Sequence, residues 1–221
     1  MLRFSLHLSP TAALTVAAFL GWGWALAQPQ HEIILIREGQ ALATIVVGPE
    51  PSQQASEAAA ELQAYLRRMS GVELPIAAKP DSAQAVAILV GRSAAKEAAE
   101  EIGLSLPTGL SPQFDDEGYV VAAGDGVVIL AGNETEPYQG TFYAVYDLLE
   151  SLGCRWYFPG EFGEVVPSLR TIAVPVGRKL VRPQFRIRDT WYSGHLSVSG
   201  QQHVEYQTWK RRNRMARAGV W

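Results

Sequence analysis

Apolar positions along the chain change their period several times, and each change marks an element. The stretch E-I-I-L-I-R-E-G-Q-A-L-A-T-I-V-V-G sets two apolar runs, Ile33–Ile36 and Ala43–Val47, around the polar Arg37-Glu38-Gly39-Gln40, which predicts a β-hairpin. Pro49-Glu50-Pro51-Ser52 breaks the second run and offers Ser52 as a helix N-cap. Ala55, Ala58, Ala59, Leu62, Tyr65, Leu66 and Met69 then recur at helical spacing up to Gly71, so one face of that helix must be buried. A-V-A-I-L-V-G, ending at Gly91, is a short continuous apolar run, the mark of a central strand covered on both faces. A weaker helix follows from Ser93 to about Ile102. Y-V-V-A-A-G-D-G-V-V-I-L-A-G then gives two apolar runs around Gly124-Asp125-Gly126, residues that tolerate the positive φ of a tight hairpin turn.

The next helix carries Phe142, Val145, Tyr146, Leu149 and Leu152 on one face, with Gly153 placed to end it. It runs directly into Cys154-Arg155-Trp156-Tyr157-Phe158. A strand entered from a helix end predicts Trp156 and Phe158 facing inward and Tyr157 outward. The alternative is a sugar-stacking platform of aromatic faces. The order hairpin, helix, strand, helix, hairpin, helix, strand implies an α+β fold: a two-layer α/β sandwich with a mixed β-sheet and helices packed on it. Pro167, Pro175 and Pro183 punctuate a polar connection, and a domain boundary is expected near Arg182.

The ends alter this picture. Arg3 precedes an uncharged stretch, Thr11–Ala27, that closes on Ala25-Leu26-Ala27, the pattern of a secretory signal peptide cleaved after Ala27. Residues 1–27 are thus set aside, 28–181 form the α/β domain, and 182–221 form a separate C-terminal piece. The chain is expected to be secreted or periplasmic, with no membrane association after cleavage. Cys154 is the only cysteine among 221 residues, so stability must come from a hydrophobic core. With 19 Lys+Arg against 22 Asp+Glu, a formal net charge of −3, no polyanionic partner is implied.

Candidate chemistry is sparse. Asp115-Asp116-Glu117 is the densest carboxylate cluster but reads more simply as a solvated loop before a hairpin. His31, His195 and His203 lie in no metal-ligand spacing, no G-x-S-x-G or G-x-G-x-x-G occurs in a fitting context, and neither metal nor cofactor is expected. Trp209 to Arg217, W-K-R-R-N-R-M-A-R, has the basic and aromatic mixture of a nucleic-acid patch. In an exported, slightly acidic chain it reads as a solvated helix face, and no nucleic acid is expected. Asn133-Glu134-Thr135 is a glycosylation sequon.

Taken in order, the initial hairpin, A-A-A-E-L-Q-A-Y-L-R-R-M-S-G-V-E-L-P-I, I-L-V-G, D-D-E-G-Y-V-V, G-D-G-V-V-I-L-A-G and G-T-F-Y-A-V-Y-D-L-L-E-S-L-G-C-R-W-Y-F-P-G cover about residues 32–192. This series resembles the non-catalytic α/β domain that precedes the catalytic barrel in exo-acting glycoside hydrolases, of the α-glucuronidase type above all and of β-N-acetylhexosaminidases. The resemblance implies that residues 182–221 are the truncated start of a (β/α)8 barrel. Pro183-Gln-Phe185-Arg-Ile-Arg188 is similar to the P-x-F-x-x-R start of hexosaminidase barrels, whose Arg contacts substrate hydroxyls; that role maps to Arg188. Asp189 stands where that family has Gly, and no L-D-x-x-R follows, which points away from a hexosaminidase substrate. Barrel sites lie at the C-terminal ends of strands. Arg188, Asp189 and Trp191 are therefore the candidate substrate-binding residues if Phe185–Arg188 is the first strand, and an ordinary charged strand end otherwise.

A barrel takes about 250 residues, whereas Arg182 to Trp221 is 40. The catalytic carboxylate pair of a glycosidase is thus expected beyond this sequence, and no catalytic residue is assigned within it. The expected function is an N-terminal accessory domain of a secreted α-glucuronidase-like glycoside hydrolase in polysaccharide breakdown, inactive alone. Its partner is an oligosaccharide or polysaccharide bound by the barrel. The alternative is an independent exported carbohydrate-binding or interaction module.

Overall fold

The computed structural model describes residues 31–103, 105–106, 117–185, 187–190 and 200–215. β1 (Glu32–Arg37) turns tightly through Glu38-Gly39 into β2 (Gln40–Ala41), and the chain then crosses into β3 (Ala43–Val46). The hairpin expectation holds only for its first half. Arg37 pairs with Gln40 and Ile36 with Ala41, but β3 leaves to lie parallel to β5 (Val86–Val90) and β4 (Ile76–Ala77). The reason is burial: all four residues of β3 are buried. A run that is apolar on both faces gains most in a sheet interior covered on both sides.

β6 (Tyr119–Gly124) and β7 (Val127–Gly132) form the expected hairpin. Asp125 and Gly126 at its turn both have positive φ, 48° and 76°, as a type I′ turn requires. With β11 (Gly177–Val181) the main sheet has the order β11-β6-β7-β5-β3-β4, mixed in direction. A second antiparallel sheet runs β10-β1-β2, where β10 is Ile172–Pro175. The sequence reading took this last region for a polar connection. β11 reads G-R-K-L-V and is exposed almost throughout, so it carries no apolar alternation; it is a charged edge strand, held by its ladder to β6.

α1 (Gln53–Ser70) and α3 (Gly140–Ser151) pack together against one face of the main sheet. α1 begins at Ser52, whose hydroxyl accepts from the Ala55 amide, and ends at Gly71 in the left-handed conformation. Its seven buried residues are those picked out by helical spacing. The opposite face is covered by α2 (Arg92–Glu101), whose Ala95 and Ala99 meet Val46, Leu89 and Ile129. The fold is thus α+β, a mixed sheet with helices packed on it.

Helix α3 leads to β8 (Arg155–Trp156), paired with β9 (Glu164–Val165). Trp156 is buried. Its ring meets Tyr65 edge-on at 5.6 Å and Tyr146 at 5.4 Å, and its Nε1–H donates to the Tyr65 hydroxyl at 2.8 Å. Burial of that hydroxyl pushes the Tyr65 pKa well up, so it stays a neutral phenol. Cys154 is likewise buried, and burial raises its thiol to about 11, which leaves it protonated and unreactive.

Phe158 corrects the expectation that it would face inward: it is 63% exposed, as Tyr157 is at 62%. The two-residue alternation stops after Trp156 because Pro159 follows and Gly160 turns the chain with φ 79°. Trp156→Ala is expected to cost about 3–5 kcal/mol, out of the roughly 5–15 kcal/mol that holds a typical domain. Phe158→Ala is expected to stay within about 0.5 kcal/mol. Urea unfolding of the two variants checks this; equal midpoints would refute it.

Candidate functional site

The parallel strands β3, β5 and β7 are each followed by a helix, α1, α2 and α3. All three helix starts meet one side chain, Glu134. Its Oε2 accepts from the Ser52 hydroxyl at 2.6 Å; its Oε1 accepts from the Arg92 amide at 2.7 Å and the Thr141 hydroxyl at 2.8 Å. A carboxylate at helix N-termini is favoured by the orphan amides and the dipole. Gly91 makes room for it, since a Cβ there would lie 2.4 Å from Ala55 Cβ and 2.9 Å from Glu134 Oε1. Gln54 adds a second tie, accepting from the Thr141 amide and donating to the Tyr138 carbonyl. Asn133 of the sequon is buried beside this cluster, 1% exposed, so the folded domain hides the acceptor nitrogen.

A second polar assembly joins the C-terminal segment to the domain. Helix α4 (Gln201–Arg212) lies against α3. The Trp209 indole N–H and the Asn213 amide both donate to the Trp156 carbonyl, at 3.0 and 3.1 Å. Arg211 donates to the Tyr146 hydroxyl and Glu61, with its guanidinium 3.8 Å from the centre of the Phe142 ring. Arg212 pairs with Glu61 at 2.9 Å and with Glu164. Glu164 also takes Arg68 at 2.6 Å, and Arg214 pairs with Glu150. The described part of the basic run expected to be a solvated helix face is therefore an ion-paired seam, in which α1, α3 and β9 answer Arg211, Arg212 and Arg214.

Burial works to raise the Glu164 carboxyl, but the hydrogen bond from Arg68 and the nearby Arg212 charge outweigh it and hold the pKa below the usual value. Burial also works against the charge on Arg212, yet Glu61 and Glu164 keep its pKa above the ordinary guanidinium value.

Two of the three sequence-derived binding candidates lie at this seam. Arg188 pairs with Glu117 and donates to the carbonyls of Arg214 at 3.1 Å and Phe185 at 2.7 Å. Asp189 receives Lys210 Nζ at 2.5 Å. Both side chains are mostly buried, Arg188 22% and Asp189 22% exposed. Trp191, Asp115, Asp116 and His195 lie outside the described residues. The described residues of Phe185–Arg188 form no strand. His31 and His203 are exposed. Among the described residues, no group of three or more His, Cys, Asp or Glu is placed to hold a metal ion, and no helix is long and apolar enough to cross a membrane.

Sequence reasoning missed Glu134, Glu61 and Glu164. A glutamate shortly before a helix start was a weak signal for the first. The other two had none, because their partners lie about 50 to 150 residues away.

A open groove of about 490 Å³ runs along α4, lined by Gln139, His203, Gln207, Thr208 and Lys210 among others. Val204 and Met215 add apolar surface to the lining, and no Phe, Tyr or Trp lies among its described residues.

Residues 35–148 match the family described as glycosyl hydrolase family 67 N-terminus. The chain belongs to that family. A comparison with curated proteins finds no match. Among solved structures, the chain is similar to a family GH115 4-O-methyl-α-glucuronidase with specificity for decorated arabinogalactans, at 16% identity and TM-score 0.56, over 83% of this chain and 25% of that one. It is also similar to a family GH20 β-N-acetylhexosaminidase from Streptomyces coelicolor, at 18% identity and TM-score 0.41, over 66% and 23%. A Streptomyces plicatus β-hexosaminidase matches at 18% identity and TM-score 0.43, over 71% and 24%. At these identities the glucuronidase likeness is one of fold. The chain spans about a quarter of the length of the structures it matches.

The seam yields a pH dependence with a defined sign. With its folded pKa depressed, Glu164 contributes stability that is whole above the unfolded value of about 4.3 and is lost as pH falls through the lower folded value. The protection of α4 amides, taken against the unstructured exchange rate at the same pH, is expected to fall below about pH 4.3 in the parent, and Glu164→Gln is expected to show the lowered protection already at pH 7. Pulse-labelling mass spectrometry over that range checks both; an α4 insensitive to the substitution refutes the seam.

Proposed function

We propose that this chain is the N-terminal accessory domain of a secreted glycoside hydrolase of the α-glucuronidase kind. In this reading, the catalytic carboxylates sit on polypeptide beyond Trp221. The carrying observation is the family 67 N-terminus match over residues 35–148; the fold likeness to a glucuronidase of which this chain covers 25% supports it.

The domain's work is mechanical. It folds around its own core, and through the α4 seam it fixes the direction in which the following polypeptide leaves. Buried ion pairs of this kind contribute little net stability against apolar replacements but are costly to break singly, a combination suited to setting position. The substrate in this reading is an oligosaccharide or polysaccharide bearing a uronic acid, bound by the following barrel. Arg188, Asp189 and Trp191 belong to the segment that this reading assigns to the start of that barrel, although the described residues of Phe185–Arg188 form no strand; Arg188 is tied to Glu117 and Asp189 to Lys210. Export follows from residues 1–27, with cleavage after Ala27.

Intact-mass and N-terminal analysis of the natural gene product, with an assay for uronic acid release from a glucuronic-acid-decorated oligosaccharide, tests the reading. Expected are an N-terminus at Gln28, a product much longer than 221 residues, release by that product, and none by the 221-residue chain. Turnover by the 221-residue chain, or a natural product ending at Trp221, overturns it.

A further inference from the structure

The Trp156-Tyr157-Phe158 motif faces two ways. Trp156 is core, but Tyr157, Phe158 and Phe162 are 62%, 63% and 97% exposed on the loop that joins β8 to β9. This loop is locked. The Tyr157 amide donates to the Gly163 carbonyl at 2.8 Å, and the Gly163 amide to the Gly160 carbonyl at 3.2 Å. Gly163 lies so close to the Phe158 backbone that a Cβ there would meet its carbonyl oxygen at 2.1 Å. Three aromatic rings within six residues are therefore held outward by a fixed backbone. Exposed apolar surface of this sort marks interaction sites, and a loop whose backbone is already held loses little backbone entropy when covered.

The loop adjoins the α4 seam. Gly160 faces α4, where a Cβ built on it would lie 3.2 Å from Glu205 Oε2, and the Trp156 carbonyl just before the loop receives Trp209 and Asn213. The exposed rings thus continue an interface that the chain already makes with its own C-terminal segment. Three aromatic side chains bury about 150–250 Å² each when covered, which would form the apolar centre of a standard face of about 800 Å² per partner. Two of the three rings are Phe and offer no hydroxyl to a sugar, which favours a protein surface over a glycan.

We propose that Tyr157, Phe158 and Phe162 are the docking face for the polypeptide that follows Trp221 in the natural gene product, setting the catalytic domain against the accessory domain beside α4. This rests on the function proposed above. Hydroxyl-radical footprinting of the natural gene product, its length read by intact mass, tests it. All three rings are expected to label several-fold more slowly there than in the 221-residue chain. Phe158→Asp with Phe162→Asp is expected to return Tyr157 to fast labelling in the long product while leaving the unfolding midpoint of the 221-residue chain unchanged.

A natural product ending at Trp221 overturns this inference together with the proposed function. A longer product whose rings label as fast as in the 221-residue chain overturns the inference alone. So does protection that appears only when arabinogalactan is added, which assigns the rings to a glycan, or protection that grows with concentration of the 221-residue chain, which assigns them to a second copy.

Discussion

Glu134 accepts from Ser52, Arg92 and Thr141, so the first turns of α1, α2 and α3 are held by one carboxylate. The three parallel strands end at the same place, and their order in the sheet is fixed by β5 lying between β3 and β7. Moving any one helix start would break its hydrogen bond to the carboxylate in this part-buried site. In open α/β sheets this end of the parallel strands is where anionic ligands bind, on helix N-termini. Here a side chain of the protein fills that role. The sheet's customary ligand position is thereby occupied from within, while the opposite end of α3 leads to Trp156.

That opposite end is organised around Trp156. Its indole joins Tyr65 of α1 to Tyr146 of α3, and its carbonyl receives α4. Glu61 on α1 bonds both Tyr146 and Arg211, and also Arg212. One aromatic cluster and one carboxylate therefore set the α1–α3 packing and the seat of α4 together. The seat of α4 is thereby set by residues that also build the core.

The sequence disclosed those parts of the fold that depend on local period. α1 could be read residue by residue because its apolar spacing, its cap and its terminal glycine agree. The β6–β7 hairpin was equally legible from Gly124-Asp125-Gly126. The partner of β3 was not, because a run apolar on both faces says that it is central but not which strand lies beside it. β11 was invisible, since an edge strand reading G-R-K-L-V has no apolar face to reveal it. At the seam the basic residues were plain, but their meaning was not: whether W-K-R-R faces water or carboxylates depends on Glu61 and Glu164, which only the folded chain brings near. The positions of Arg188 and Asp189 belong to the same class, being settled by Glu117 and Lys210.

The split within Trp156-Tyr157-Phe158 follows from a conflict between two local rules. A strand continued past Trp156 would have turned Phe158 inward, but Pro159 brings no amide to a ladder, and the space behind Trp156 is already filled by Tyr65 and Tyr146. Burying Phe158 as well would have required the α1–α3 pair to part, at a cost in packing that overfilled cores show to be about 1–3 kcal/mol or more. Turning the chain at Gly160 avoids that strain and leaves the rings outside. An aromatic run at the end of a helix can thus serve the core with its first residue and a surface with the rest; which residues go where is decided by how much room the neighbouring helices leave.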